Sequence, residues 1–210
     1  MKTFEAACED CPRLSAFLAE VRRRHPDYHA RPVPPFGASR PRLLVVGLAP
    51  GLHGANRTGR PFTGDYAGIL LYATLYRFGF ANRPVAEHAA DGLELIDCRI
   101  TNAVKCLPPQ NKPTPEEIRC CNKYLASELQ ALDKNSAVLA LGQIAHHAVL
   151  QALGVRARDF PFGHGRVHHL PRLTLFDSYH CSRYNTQTRR LTPAMFEAVV
   201  AAIRSHLERS

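Results

Sequence analysis

The chain has 210 residues, of which 45% are hydrophobic and 21% are charged, and these values exclude a disordered or fibrous protein. No apolar run approaches the ~20 residues of a membrane span, and the first residues lack the apolar core of a secretory signal. We therefore expect a soluble, cytoplasmic and monomeric protein that has one domain over residues 1–210 and no membrane partner.

Positive charge exceeds negative charge, with 27 Lys and Arg residues against 18 Asp and Glu residues and a formal net charge of +9. An excess that is spread over a globular chain suggests a polyanionic partner, most often nucleic acid. A solvated surface without a partner would give the same balance, so charge alone leaves both interpretations open.

The predicted elements alternate between helices and short apolar strands. After a first helix over 12–24, the five prolines of residues 25–42 predict an extended connector. The remaining predicted strands and helices are, in chain order, 42–48 (strand), 69–76 (helix), 97–104 (one or two strands), 115–132 (helix), 137–142 (strand), 143–154 (helix), 172–178 (strand) and 192–209 (helix, capped by Thr192). This alternation predicts an α/β protein whose parallel sheet is covered on both faces.

Three polar loops leave predicted strands, at 47–65, 102–121 and 177–190. Because ligands of such sheets bind at the carboxyl ends of the strands, we expect the three loops to meet at one edge. The first loop is rich in glycine but lacks the Lys-Ser/Thr pair of a nucleotide P-loop. Its Phe62 is either a stacking face for a base or a core residue, and its Asp65 is either a functional carboxylate or a helix N-cap.

The third loop concentrates hydroxyl, amide and basic side chains. His180, Ser182, Arg183 and Asn185 lie within six positions, a composition that suits contacts to phosphates and to the minor groove. A polar surface loop is the alternative interpretation.

Seven cysteines in a reducing compartment argue against a disulfide framework. Cys8 and Cys11 have the two-residue spacer that lets two thiolates face one metal centre, and a Pro-rich loop separates a second pair, Cys106 and Cys121. Four such thiolates suit either a Zn(Cys)4 site or a [4Fe–4S] cluster. Spacing does not decide between these metals or between Cys121 and its neighbour Cys120, and buried unligated cysteines are the alternative.

Four motifs occur in a fixed order along almost the whole chain: CxxC, GLAPG with GRPFTGD, TNAVKC with a cysteine fifteen positions later, and SYHCSRYNTQTRRLT. This combination resembles the iron–sulfur uracil-DNA glycosylases, most closely the type 5 branch of bacteria and archaea, with type 4 as the nearest relative. The resemblance implies a three-layer α/β/α fold with a four-stranded, mainly parallel sheet. It also implies a [4Fe–4S] cluster on Cys8, Cys11, Cys106 and Cys121, and Cys121 is preferred because the family's ligand precedes a segment ending in Tyr-Leu.

The resemblance implies an enzyme that flips uracil out of DNA and hydrolyses its N-glycosidic bond, which leaves an abasic site. The flipped base would lie on Phe62 and contact the backbone of Gly47, Leu48 and Ala49. The Asn102 amide would pair with the O4 and N3–H edge of uracil, because an amide both donates and accepts.

For the chemical step, the resemblance implies that His180 donates a hydrogen bond to O2 of the departing base. The first motif lacks a carboxylate, and Asp65 would supply one near the cationic sugar and the attacking water. Loss of the first-motif acid loosens base selectivity, so hypoxanthine and other deaminated bases are expected substrates. The loop from His180 would press into the DNA, and Ser182, Arg183 and Asn185 would contact it.

The resemblance places the enzyme in the prokaryotic cytoplasm, at the nucleoid where its substrate lies, and implies no soluble cofactor. Two alternatives stay open. One is a type 4-like or mismatch-type glycosylase with narrower specificity. The other is a non-catalytic iron–sulfur protein that binds DNA through the same fold.

Overall fold

A computed structural model describes residues 4–209, so the outermost residues of the predicted 1–210 domain lie outside the described range. One six-stranded sheet forms its centre, with the strand order β1-β3-β2-β4-β6-β5. The strands are β1 (Phe36–Gly37), β2 (Leu43–Gly47), β3 (Cys98–Asn102), β4 (Ser136–Leu141), β5 (Val167–His169) and β6 (Leu173–Ser178).

The four inner strands, β3, β2, β4 and β6, run parallel to one another, which confirms the predicted parallel sheet. The two edge strands, β1 and β5, pair antiparallel with their neighbours and extend the expected four strands to six. Neither was predicted as a strand, and β1 lies inside the predicted connector. Both have at most three residues, too few for hydrophobic alternation to show in a sequence.

Helices cover both faces of the sheet, as predicted. Leu43 and Val45 of β2 pack into one apolar cluster, while Leu44 and Val46 pack into another on the opposite face, because successive side chains of a strand alternate. The helices are α1 (Pro12–Arg24), α2 (Ala55–Thr58), α3 (Tyr66–Arg77), α4 (Pro115–Gln130), α5 (Gln143–Ala152), α6 (Arg183–Gln187) and α7 (Pro193–Glu208). Apolar buried residues of α3 and α7 belong to the first cluster, and those of α5, with Leu125 and Leu129 of α4, belong to the second.

The connector is fastened to the loops of the sheet edge. Its residues 25–35 form no helix or strand. The Ala30 N–H donates to the Asn56 carbonyl at 3.0 Å, and the Val33 N–H donates to the Lys105 carbonyl at 2.7 Å. The connector therefore ties the first two polar loops together. Among the described helices, none combines the length and the apolar character that crossing a membrane requires.

Candidate functional site

All three polar loops contribute side chains to one open cleft of about 370 Å³ at the carboxyl ends of the parallel strands. This confirms the prediction that the loops meet at one edge of the sheet. The lining residues are Leu48, Ala49, Gly51, Ala55, Phe62, Asp65, Ala67, Asn102, Asn111, His180 and Ser182.

Close packing at the end of β2 forms the floor of the cleft. Gly47 pairs in register with Asn102 of β3. A Cβ atom on Gly47 would lie 2.6 Å from Cζ of Phe62 and would overlap the Asn102 amide oxygen. Only glycine therefore fits here, and its absent side chain lets the Phe62 ring and the Asn102 amide lie against the strand end.

The backbone that follows β2 is partly engaged within the protein. The Gly47 carbonyl accepts from the Ala103 N–H at 2.9 Å, and the Leu48 carbonyl accepts from the Val104 N–H at 3.0 Å. Of the three predicted backbone contacts, Leu48 and Ala49 line the cleft. Gly47 is not among the lining residues, but its missing side chain leaves room for the Phe62 ring and the Asn102 amide that line it.

Two aromatic rings frame the cleft. The ring centroids of Phe62 and His180 are 5.8 Å apart, and their planes differ by 32°. Phe62 has a left-handed backbone, with φ of +53°, and it is 6% exposed within the main apolar cluster. The stacking and core interpretations of Phe62 are therefore compatible, because one ring both closes the core and lines the cleft.

Asp65 is an N-cap, as one interpretation of the sequence predicts, and it also lies where a functional carboxylate is expected. It is the N-cap of α3, where its Oδ1 accepts from the Gly68 N–H at 2.9 Å, and it lines the cleft. Burial raises the pKa of Asp65, and the backbone N–H groups of Gly68 and Ala67 oppose that rise. Gly54 packs so tightly against the carboxylate that a Cβ there would lie 2.6 Å from the Asp65 Cβ. The carboxylate is thus fixed in place and is a stronger proton acceptor than an exposed aspartate.

Asn102 carries an unsatisfied polar atom at the base of the cleft. Its side chain is 3% exposed, and its Oδ1 atom has no hydrogen-bond partner among residues 4–209. Leaving a buried acceptor unpaired costs about 1–3 kcal/mol. A ligand that donates a hydrogen bond here would recover that energy.

His180 follows the end of β6 and faces Phe62. Burial lowers the pKa of His180 to about 4, so the ring is neutral near neutral pH. A neutral imidazole has one N–H group, which can donate to an oxygen atom that gains negative charge. The His180 carbonyl accepts from Nδ2 of Asn185 at 2.9 Å, which fixes the start of the loop.

The predicted DNA-contacting residues form the rim of the cleft beyond His180. Ser182 caps α6 by accepting from the Asn185 N–H at 3.3 Å. Arg183 is exposed, and its guanidinium lies 5.8 Å from the ring centroid of Tyr66. The Asn185 amide and the Ser182 hydroxyl both hold the loop, and Arg183 is the exposed member of this set.

Sequence reasoning missed two residues at the cleft. Asn111 lines it from a short turn of the second loop in which both Gln110 and Asn111 have left-handed backbones. The exposed Tyr66 lies at the rim beneath Arg183. The Pro108–Pro109 pair before Asn111 marks the turn, but nothing in the sequence shows where the turn points.

Four cysteines from distant segments share a second, smaller cavity beside the cleft. Cys8, Cys11, Cys106 and Cys121 pack into one apolar cluster around Leu14, Val104 and Tyr124. All four are unbonded thiols. The structure therefore brings the four predicted metal ligands together.

Cys120 also lines this cavity, but it differs from Cys121 in its contacts. Cys121 is buried, and its Sγ accepts from the Lys105 N–H at 3.3 Å. The Cys120 Sγ is directed to the Asp10 carbonyl at 3.8 Å. The backbone donor stabilises a thiolate at Cys121 and not at Cys120.

The donor set and its environment suit a metal centre. Burial, followed by the neighbouring sulfurs, raises the pKa of Cys106 to about 12. Burial likewise raises the pKa of Cys121. Thiolates are the metal-binding form, and several of them are stable in so dry a cavity only beside a cation. Four sulfurs around one apolar cavity fit a [4Fe–4S] cluster.

Comparison with known proteins gives a consistent result. The family model described as the Uracil DNA glycosylase superfamily matches residues 34–204. A type-5 uracil-DNA glycosylase of Thermus thermophilus is 48% identical over 92% of this chain and 91% of its own. One of Mycobacterium tuberculosis is 46% identical over 92% of this chain and 76% of its own. A type-4 uracil-DNA glycosylase of Archaeoglobus fulgidus is 33% identical over 67% of this chain and 63% of its own.

Proposed function

Because the chain belongs to the uracil-DNA glycosylase superfamily, we propose that it excises uracil from DNA by hydrolysing the N-glycosidic bond, in the manner of the type 5 branch. The observation that carries this proposal is the unpaired Asn102 amide oxygen, which lies in the same cleft as Phe62, Asp65 and His180. A flat ring that donates one hydrogen bond is the ligand this arrangement favours.

Uracil meets that description. A base inside a duplex is unreachable, so the nucleotide is flipped into the cleft at a cost of about a few kcal/mol. The base then lies against the Phe62 ring, and its N3–H donates to Oδ1 of Asn102, which offsets the cost of the buried acceptor. The Asn102 NH₂ group donates to O4, and backbone groups of Leu48 and Ala49 complete the pocket.

Cleavage leaves a cationic sugar and an anionic base. The Asp65 carboxylate stabilises the cation and orients the attacking water. The neutral His180 ring donates its N–H to O2 of uracil as negative charge develops there. The helix cap holds the Asp65 carboxylate, and the bond from Asn185 to the His180 carbonyl holds the backbone that carries the ring, before substrate binds. Little reorganisation therefore accompanies the reaction.

The rim holds the DNA. The Arg183 guanidinium, which lies over the Tyr66 ring, supplies a cation for the DNA phosphates. Ser182, the preceding residue, supplies a hydroxyl. The segment from His180 to Arg183 fills the gap that the flipped nucleotide leaves in the duplex. Asn185 supports this segment through the His180 carbonyl and contacts DNA through its remaining oxygen.

The cysteine cavity holds a [4Fe–4S] cluster on Cys8, Cys11, Cys106 and Cys121 in this proposal. Their shared apolar cluster and the backbone donor to Cys121 support the assignment. The cluster would link the segment before α1 to helix α4 and to the loop that contributes Asn111 to the cleft. No step of base excision is assigned to it.

The pocket favours a broad substrate range. The backbone after Gly47 offers no carboxylate, so fewer polar groups reject a wrong base. We include hypoxanthine and other deaminated bases among the substrates of this enzyme, which acts as a monomer on cytoplasmic DNA. A type 4-like or mismatch-type enzyme would instead release uracil alone or only from mismatches, and a panel of duplexes with uracil or hypoxanthine separates these outcomes.

Base release by the purified protein tests the function itself. A duplex with one U:G pair is incubated with excess protein, and abasic sites are detected by alkaline cleavage of the labelled strand. We expect complete uracil release and no strand break before alkali. DNA binding without release from any duplex of the panel would contradict the proposal and would support the non-catalytic iron–sulfur protein.

A further inference from the structure

Three buried polar residues outside the cleft come together from three neighbouring elements. His146 lies on α5, His168 on β5 and Asp177 on β6. His146 and Asp177 are fully buried, and His168 is 8% exposed. The proposed function assigns them no role.

Asp177 accepts hydrogen bonds from three donors. Nδ1 of His146 lies 2.7 Å from one carboxylate oxygen, and Nε2 of His168 lies 3.1 Å from the other. The Gly163 N–H donates to that second oxygen at 3.3 Å. Donors on both oxygens favour the ionised carboxylate.

The second ring nitrogen of His146 also faces an acceptor. Its Nε2 lies 2.8 Å from the carbonyl oxygen of Phe160. The Phe160 carbonyl can only accept, so Nε2 of His146 carries a hydrogen. With Asp177 in the ionised form that its donors favour, Nδ1 carries a second hydrogen, and this geometry points to an imidazolium–carboxylate pair.

The distances favour a proton over a metal ion between these residues, although the three side chains offer ligand atoms within 4.8 Å of one another. Two ligands of a tetrahedral zinc ion, each about 2.0–2.1 Å from the metal, lie roughly 3.3 Å apart. The 2.7 Å between His146 Nδ1 and the carboxylate is shorter and has the length of a charge-assisted hydrogen bond.

The group is connected to the cleft through the end of β6. Asp177 lies three residues before His180, and the hairpin that carries His168 holds the residues between them. The Tyr179 N–H donates to Nδ1 of His164 at 3.2 Å, and the two rings stack with centroids 5.0 Å apart. A shift of the Asp177 side chain would therefore move the backbone that places the His180 ring over Phe62.

We propose that His146, Asp177 and His168 form a charged positioning network, an imidazolium–carboxylate pair braced by a second imidazole, that fixes the strand end carrying His180. The effect on excision rests on the proposed glycosylase function, whereas the charge state of His146 does not. These are positioning residues, because they contact neither the base nor the sugar in this arrangement.

The charge state is tested by NMR of the full-length protein labelled with ¹⁵N in histidine. The His146 ring is assigned by the disappearance of its signals in His146→Gln. We expect directly bonded hydrogens on both ring nitrogens at neutral pH. A single ring hydrogen, or one tightly bound zinc per chain that His146→Gln abolishes, would overturn the network.

The positioning role is tested with Asp177→Asn, compared with His88→Gln at an exposed position outside the network. We expect single-turnover uracil release to fall about tenfold to a hundredfold in Asp177→Asn, as for a small misplacement of a catalytic group. The His180 ring signals should shift, while the affinity for abasic DNA stays within about threefold because the rim is unchanged. His88→Gln should change none of these.

Two further comparisons cover the cases in which Asp177→Asn does not fold or the wild-type protein shows no base release. If Asp177→Asn does not fold, His168→Asn removes only the brace and should still shift the His180 signals with a smaller loss of rate. Wild-type rates with unshifted His180 signals in a folded variant would contradict the positioning role. If the wild-type protein releases no base, the proposed function fails, but two hydrogens on His146 and shifted His180 signals would still support the network.

Discussion

The cleft and the His146–Asp177–His168 network lie on neighbouring strand ends, but they differ in whether their buried polar atoms have hydrogen-bond partners. In the cleft, the buried Asn102 oxygen has no partner among the described residues. In the network, Asp177 accepts from three donors and both His146 nitrogens are engaged. An unsatisfied acceptor in a cleft can be satisfied by a ligand, whereas a group that holds position gains most when its hydrogen bonds are already complete.

Replacing Asp65 with asparagine should separate the two regions most strongly. Asparagine keeps the N-cap bond to Gly68 but removes the charge, so the melting temperature should stay within about 2 °C of wild type. Single-turnover uracil release should fall about a thousandfold, as for loss of a catalytic base or carboxylate. Full activity in this variant would remove Asp65 from the mechanism.

The pH dependence of uracil release tests the same role of the Asp65 carboxylate. Burial raises the pKa of Asp65, so the active carboxylate is protonated and activity is lost as the pH falls through that raised pKa. His180 has a pKa of about 4, so its ring stays neutral between pH 5 and 8 and should not shape the activity profile in that range. Asp65→Asn should therefore lack the acidic limb, and an unchanged limb would assign it to another group.

His180→Ala should have the next largest effect. Removing one donor to a developing anion costs about a hundredfold to a thousandfold in rate. The network behind it should persist, so the two ring hydrogens on His146 should remain in the NMR spectrum. A loss of those hydrogens would show that His180 maintains the charge state of the network. The proposal has the opposite order, in which the network positions His180.

Two glycines of the cleft loop provide a matched pair. A Cβ on Gly47 would strike Phe62 and Asn102, whereas a Cβ on Gly51 would meet no atom within 4 Å. Gly47→Ala should reduce uracil release about tenfold or more by displacing the stacking ring, in the range known for small misplacements. Gly51 also lines the cleft, so Gly51→Ala narrows the cleft without displacing the Phe62 ring and should cost less than Gly47→Ala. Equal losses in both variants would remove the argument from close packing.

Two adjacent cysteines provide a second pair, with the smallest expected effect on release. Cys121→Ser should lose the absorbance near 400 nm and most of about four iron atoms per chain, while Cys120→Ser should retain both. Release by Cys121→Ser at low temperature should fall only a few-fold, because the cluster takes no part in the reaction. A colourless wild-type protein with one zinc would contradict the cluster assignment.

The sequence predicts most of the sheet, because each inner strand contains a short run rich in apolar residues and the long helices have clear signals. The cap at Thr192, for example, accepts from the Met195 N–H as expected. The short edge strands β1 and β5 escape prediction, since pairing with a neighbour and not composition creates them. For the cleft, three polar loops after three strands suffice to predict that the loops meet.

The network could not be predicted in the same way. His146 and Asp177 are 31 positions apart, and two adjacent histidines in the apolar run of α5 do not reveal which of them is buried or what its partner is. The contact of Arg183 with Tyr66 is likewise created by the fold alone. Pairs of this kind depend on the register between elements, which hydrophobic periodicity does not fix.

The central claim, that Asn102 and Phe62 receive an everted uracil, is tested most directly by a crystal structure of Asp65→Asn bound to a duplex with one U:G pair. We predict that uracil lies outside the helix against the Phe62 ring, with its N3 atom within hydrogen-bonding distance of Asn102 Oδ1 and its O2 atom facing His180. Uracil bound elsewhere on the protein, or in the cleft without a contact to Asn102, would contradict the account.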